Sequence, residues 1–355
     1  MLLFRYVAFH YLKYFLIILF GLVFFMAGFD YMDNAHKLPD SANLVLIYVV
    51  FKSFYAIDML LPLALIFAMI GTKIFLIRSN ALVAFYALGY SKTDVLRPFI
   101  VVSALATALY IGLHATSFAR ADEFSDNIRR SSTFLKPTTN LFFTYENKYI
   151  YFGTLYPLQG RAEDIRVFSV KENSLQQVLT AKEAYYADHY WTIKNADIIQ
   201  KPHEFTLTSD GIKSFKKDEL KILKDFRPKI LDQVYEGKVN YTILDAIDAY
   251  ILLKEQNINT DRVKSSLIKN IFHPLFVPAL IVIIFFFVPI SPRFLNVTLF
   301  SFGAILATLL IWGILFMGVE LSNNKTLLPE VGIILPILII YIAAYIWWRR
   351  NRISH

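Results

Sequence analysis

The chain has 355 residues, with 36 Lys+Arg against 28 Asp+Glu, 56% hydrophobic residues, 18% charged residues and no cysteine. Soluble domains run at about 45–50% apolar and about 25% charged, so the apolar excess, which sits in blocks, argues for a membrane protein; the missing cysteine removes disulfide scaffolds, zinc ribbons, thiol catalysis and iron–sulfur sites together. The net charge of +8 is uneven, since residues 118–266 hold 22 Lys+Arg and 21 Asp+Glu while the remainder holds 14 and 7, a bias that suits a positive-inside topology and does not imply nucleic acid.

A helix crossing a hydrocarbon core of about 30 Å needs about 20 apolar residues. Six segments qualify: Tyr14–Phe29 extended backward by Tyr6–Leu12, a second within Ala56–Ile77, a third within Phe99–Thr116, then Ile271–Ile290, Val297–Val319 and Val331–Trp348. The first reads as a retained span, because it lacks a compact basic region and Asp30-Tyr31-Met32-Asp33 is a poor cleavage site. Basic residues flank one set of span ends: Arg5 and Lys13, then Lys73, Arg78, Lys92 and Arg97, then Arg293, and finally Arg349, Arg350 and Arg352. The opposite loops are acidic or neutral, with Asp30, Asp33, Lys37 and Asp40 in one and Glu320, Lys325 and Glu330 in the other. Both termini are therefore expected to be cytoplasmic and the central region outside.

Between spans two and three, Arg78–Val95 contains an apolar stretch, Ala81–Leu88, too short to cross a membrane. As a helix it places Leu82, Phe85 and Leu88 within one arc, with Ala81 and Ala84 permitting close approach. Gly89 supplies a stop, and Ser91 or Thr93 a cap for the next span. Such a helix can lie against the membrane or dock in a partner's groove.

The central region alternates. Leu141–Glu146, Lys148–Gly153, Asp164–Val170, Leu175–Lys182, Ala184–Gln200 and Glu204–Thr208 are short and rich in β-branched and aromatic residues, punctuated by Asn147, Pro157, Gly160, Asn173, Pro202 and Gly211. Strands of this kind suggest a sandwich or open barrel. Its flanks, Arg120–Ser132 and Leu244–Lys269, read as polar helices. The layout is three spans, a β-domain, then three spans.

An energised transporter needs an energy source. No G-x-x-x-x-G-K-[ST] occurs, and Gly237-Lys238 has Asp232 where the first Gly belongs; the chain is not its own P-loop ATPase. Neither H-E-x-x-H nor G-x-S-x-G is present, and the histidines at 10, 36, 114, 189, 203, 273 and 355 lack ligand spacing. No catalytic, cofactor or metal residues are assigned, and an enzyme is not expected. In span two, Asp58 is expected to face the protein interior or a wet cavity, and Lys73 to snorkel to the interface.

Four stretches together resemble the lipopolysaccharide export permeases of the LptF/LptG family: the opening "LLFRYVAFHYLKYFL", "IDMLLPLALIFAMI" (Ile57–Ile70), "ALVAFYALGYSK" and "KNIFHPLFVPALIVIIFFFVP" (Lys269–Pro289), while Tyr149–Tyr186 in the central region resembles the G-like member more. The resemblance implies an α-helical membrane protein with six transmembrane helices (3+3) and an inserted all-β, jelly-roll-like periplasmic domain. The implied boundaries are 1–117 for the first three spans with a coupling helix at about 79–91, 118–266 for the periplasmic domain with its helical flanks, and 267–355 for the last three spans. It also implies a permease of an ABC-type exporter in the bacterial inner membrane, which passes lipopolysaccharide to a periplasmic bridge protein. The implied partners are a cytoplasmic ATPase dimer that uses the ATP, a second homologous six-span permease, and a bitopic subunit with a periplasmic domain. The alternative is a membrane-anchored periplasmic scaffold without transport activity.

Carried onto this chain, the coupling helix comprises Ala81, Leu82, Phe85, Leu88, Gly89, Tyr90 and Ser91; the family's acidic opening residue is Ala81 here, so docking is expected to rest on Leu82, Phe85 and Leu88. Basic residues at the outer end of span one meet sugar phosphates in the family, which points to His36 and Lys37, the bland alternative being a solvated loop. Arg120, Arg129 and Arg130 are added on charge alone. The apolar path is assigned to Phe24 and Phe25 in span one, to Phe302, Leu306 and Leu309 in span five, and to Phe142, Tyr151 and Phe168 in the strands, where the ordinary alternative is a sandwich core. Moving a CH₂ group from lipid to water costs about 0.8 kcal/mol, so a chain of about 14 carbons costs on the order of 10 kcal/mol. A lipid carrier therefore needs oily shelter along its whole route.

Overall fold

The computed structural model describes residues 2–131, 137–145, 148–157, 159–171, 174–202, 211–224, 226–228, 241–255, 259–287 and 296–352. The chain divides into two compact units, Met1–Ser132 with Lys264–His355, and Thr133–Val263.

In lipid every backbone polar group must be satisfied locally, which makes long apolar segments helical. Among the described residues six helices are long and apolar enough to cross a membrane. The first, α1 (Leu2–Asn34), buries Leu3, Val7, Tyr11, Phe15, Leu19, Val23 and Ala27, every fourth residue, so it meets the rest of the unit along one ridge. The second, α2 (Ala42–Arg78), is the hub and begins well before Ala56. Its Pro62 has no N–H, which orphans the Asp58 carbonyl one turn earlier. The Tyr110 hydroxyl fills that vacancy at 2.9 Å and also reaches the Asp58 carboxylate at 2.7 Å. His114 Nε2 lies 2.8 Å from the same carboxylate, so Asp58 faces the protein interior. Lys73 departs from the snorkelling expectation. It is buried, donates to the Phe285 carbonyl, and lies 3.7 Å from the Phe285 ring centroid. The carbonyls in the last turn of a helix lack intrahelical partners, so an interior ammonium finds an acceptor without reaching water.

A short helix α3 (Ala81–Ala87) follows, and then α4 (Lys92–Leu113), the third span. Ser91 and Asp94 form a capping box at its start: the Ser91 hydroxyl accepts from Asp94 N at 3.1 Å and the Asp94 carboxylate from Ser91 N at 3.0 Å. Next comes α5 (Ala121–Ser131), which packs on α2 through Phe51 and Phe124, ring centroids 5.1 Å apart. Residues 118–131 thus pack with the spans, and the two compact units divide after Ser132.

Among the described residues, the unit Thr133–Val263 carries six antiparallel strands in sequence order, β1 (Thr138–Tyr145), β2 (Lys148–Tyr156), β3 (Arg161–Lys171), β4 (Ser174–Ala187), β5 (Tyr190–Gln200) and β6 (Lys213–Ile222). The described strands form a meander, without the crossover that closes a jelly roll. The expected strand Ala184–Gln200 is two strands, because Asp188 and His189 adopt positive φ of 50° and 67° and turn the chain. The lysines of β6 conceal a strand at the end of the described order, where charge discourages further pairing. The expected strand Glu204–Thr208 lies outside the described residues.

A crease crosses this sheet. Asn140, Asp164 and Asn195 have positive φ of 57°, 50° and 52°, and the pairing register passes over Asn140–Gly153, Gly153–Asp164 and Asn195–Asp218. Buried residues bracketing it stand three apart rather than two: Phe152 and Leu155, Ala162 and Ile165, Ile193 and Ala196. The inward face therefore changes parity at the crease. Gly153 is required there, since a Cβ would fall 2.8 Å from Asp164 Cβ and 3.3 Å from the Glu163 carbonyl oxygen. The halves on either side share one interior: the Phe152 and Trp191 rings are 5.2 Å apart, and Trp191 Nε1 donates to the Phe226 carbonyl at 2.8 Å.

The flank expected as one helix over Leu244–Lys269 is two, α6 (Ile243–Glu255) and α7 (Asp261–Phe272), with Asn259 Oδ1 accepting from Asp261 N at 2.9 Å. A single turn at His273–Leu275, with Pro274 near its start, separates α7 from α8 (Phe276–Phe287), and these together make the fourth span. The fifth is α9 (Val297–Asn323), and a π turn at Glu330–Ile334 leads into α10 (Leu335–Arg352), the sixth.

Candidate functional site

The helix α3 is held by its own chain. Leu82 is fully buried in the core of the spans. Phe85 is half-buried, with its ring 5.9 Å from that of Tyr6 and 6.4 Å from that of Tyr90. Burial pushes the Tyr86 phenol up to about 12, so it stays neutral against the spans. The helix ends in a Schellman pattern, with Tyr90 N donating to the Phe85 carbonyl at 3.1 Å and Gly89 N to the Tyr86 carbonyl at 3.0 Å; Gly89 has φ +85°. The uncovered face comprises Val83, Ala84, Ala87, Leu88, Gly89, Tyr90 and Ser91, with Leu88 75% exposed; Ala81 is intermediate. The arc Leu82–Phe85–Leu88 expected to face a partner is thus split, because Leu82 and Phe85 turn inward to anchor the helix and Leu88 alone of the three stands out.

At the opposite end of the spans, His36 and Lys37 lie exposed in the single turn Ala35–Lys37. Three arginines chosen on charge are engaged in ion pairs. Arg120 is buried and bidentate on Glu123 at 2.8 and 2.9 Å. Arg129 donates to Asn34 Oδ1 at 3.0 Å and pairs with Asp126 at 2.7 Å. Arg130 meets Asp126 at 3.3 Å while staying largely exposed. Lys52 lies on the part of α2 that precedes Ala56 and is buried; an ionisable residue inside an apolar run is the sequence signal for it.

On the spans, Phe24 and Phe25 are 82% and 63% exposed, and Phe302, Leu306 and Leu309 also lie on an uncovered surface of α9. In the sheet unit a groove of about 460 Å³ is lined by Tyr145, Ile150, Val167 and Leu179 from one side of the crease and by Leu220, Ile222 and Leu223 from the other, with Ser169, Gln177 and Tyr190 completing the wall. Lys148, Lys221 and Lys224 stand at its rim. Phe142, Tyr151 and Phe168 do not line it. Side chains alternate along a strand, so the residues beside Ile150 and Val167 point the other way: Phe142 is 56% exposed, Tyr151 donates to Asn140 Oδ1 at 2.7 Å, and Phe168 is half-buried. The aliphatic alternates Ile150, Val167 and Leu179 carried the better signal, and the lysine rim had none short of the folded sheet. Among the described residues no cluster of His, Cys, Asp and Glu is arranged to hold a metal ion.

The family model described as "Lipopolysaccharide export system permease LptF/LptG" matches residues 5–350. No curated protein matches the chain.

Proposed function

Since the chain belongs to the LptF/LptG family of lipopolysaccharide export permeases, we propose that it is the permease subunit of an ABC-type exporter, extracting lipopolysaccharide or lipooligosaccharide from the bacterial inner membrane and passing it to a periplasmic bridge protein. The ATP is used by a separate cytoplasmic ATPase dimer, and this chain binds no cofactor of its own. A second, homologous six-span permease and a bitopic subunit complete the complex. Both termini and α3 are cytoplasmic, and the sheet unit is periplasmic, as the basic flanks of the spans favour.

The observation that carries this reading is the groove in the sheet unit. Its lining combines Ile150, Val167, Leu179, Leu220, Ile222 and Leu223 with Tyr145, Ser169, Gln177 and Tyr190, and exposed lysines border it; the aliphatic part suits acyl chains and the lysines suit phosphorylated sugars. The uncovered aromatic and aliphatic surfaces of α1 and α9 offer the same chains an apolar start inside the bilayer. The exposed face of α3 around Leu88 and Tyr90 is the surface offered to the ATPase. Short, with an apolar face and no charge of its own, it fits the helix-in-groove mode of docking.

The test is site-specific photocrosslinking in the assembled complex. A photoreactive residue at Ile150 or Leu179 is expected to capture lipopolysaccharide in an ATP-dependent manner, and one at Phe142 is not. Equal capture at both faces, or none at the groove while transfer proceeds, overturns the groove assignment. Purification that yields no ATPase and no second permease supports the membrane-anchored scaffold instead.

A further inference from the structure

Lys52 joins three helices of the spanning unit. Its side chain is 11% exposed, and its ammonium lies 3.0 Å from Asp122 on α5 and 3.5 Å from Asp30 on α1. It also stands 4.8 Å from the Tyr55 ring centroid. Asp30 is held further by the Tyr48 hydroxyl. One turn along α1, Asn34 donates to the Asp30 carbonyl at 3.0 Å and accepts from Arg129 of α5 at 3.0 Å, and Arg129 is fixed in turn by Asp126 at 2.7 Å. Two polar bridges therefore tie the end of α1 to α5, one of them through Lys52.

Stability alone does not explain this arrangement. Ion pairs taken out of water return little net stability, and apolar side chains of similar volume do as well or better. What paired charges supply is a fixed register, because each group has few alternative partners in an apolar setting. The register matters here for two reasons. α1 otherwise meets the unit along a single ridge and leaves Phe24 and Phe25 uncovered. Among the described residues α5 is the last helix before β1.

We propose that Lys52 is a latch that makes the end of span one and α5 move as one piece during lipid transfer. It is a positioning residue acting through Asp30 and Asp122 and makes no contact with lipid. The proposal rests on the reading that the chain transfers lipid. It also gives Arg129 a mechanical role in place of the phosphate contact expected from its charge.

The chain lacks cysteine, so Asn34→Cys with Arg129→Cys can be joined by a short bis-maleimide without background. In the full complex reconstituted in liposomes, lipid delivered to an acceptor is measured against ATP hydrolysed. Lys52→Met is expected to lower transfer per ATP roughly tenfold, within the range of ordinary coupling between sites, and the 34–129 link is expected to restore it. Where Lys52→Met does not assemble, Asp30→Asn/Lys52→Met/Asp122→Asn, which leaves no unpaired charge, gives the same readout. With Lys52 intact, the link is expected to form and to leave transfer unchanged. Unchanged transfer per ATP in the Lys52 variants, no rescue by the link, failure of the link to form, or a link that blocks transfer each overturns the latch. A complex with the unaltered chain that delivers no lipid overturns the transfer reading instead, while formation of the link still tests the geometry.

Discussion

Leu82 in α3 and Leu88 at its C-cap have the same chemistry, yet they have opposite tasks. Leu82 is fully buried and Leu88 is 75% exposed, so Leu82→Asp places a carboxylate in a packed core and should destabilise the chain by roughly 3 kcal/mol or more, seen as a lower melting midpoint and poor recovery from membranes. Leu88→Asp should leave the midpoint within roughly 0.5 kcal/mol, as a surface change does, while reducing co-purification of the ATPase. Equal thermal effects from the two variants would contradict the orientation of α3. Gly153 is a second single-residue constraint. The Cβ of Gly153→Ala meets Asp164 Cβ at 2.8 Å, and the strain should cost about 1–3 kcal/mol, measurable as a shift in denaturant midpoint. Lys37 is exposed in the turn Ala35–Lys37, whereas Arg129 is engaged with Asn34 and Asp126.

At the scale of elements, each long helix is interrupted or reinforced where its sequence demands. Pro62 removes one hydrogen bond from the middle of α2, and Tyr110 replaces it from α4 at 2.9 Å. Tyr110→Phe should therefore cost about 1–3 kcal/mol, the range for leaving a buried acceptor unmatched, and should weaken the pairing of spans two and three; a detergent melting curve unchanged from wild type would count against that role. The spans themselves were legible in the sequence, since twenty apolar residues in a row have one stable form in lipid. The strands were legible in part. Leu141–Glu146 and Asp164–Val170 announced themselves by alternation, whereas Lys213–Ile222 reads as a charged loop until β5 is placed beside it. The turn at Asp188–His189 was hidden because neither residue is glycine, although Asp and His are among the residues enriched at positive φ.

For the whole molecule, six spans and a folded sheet supply two kinds of apolar shelter, and the lipid route proposed above uses both. Hydropathy, basic flanks and the motif order determined the number of spans, their expected orientation, the short helix between spans two and three and the family, because each depends on residues close together in the chain. Tertiary structure decided which side of that helix is free, which face of the sheet is inward, and which cations are already paired. Those outcomes turn on partners far apart in sequence: Lys52 meets Asp122 seventy residues away, and the inward face of β3 depends on a crease shared with β1, β2 and β5. A local pattern sets how much of an element must be buried, but the neighbour that buries it is chosen only when the chain has folded.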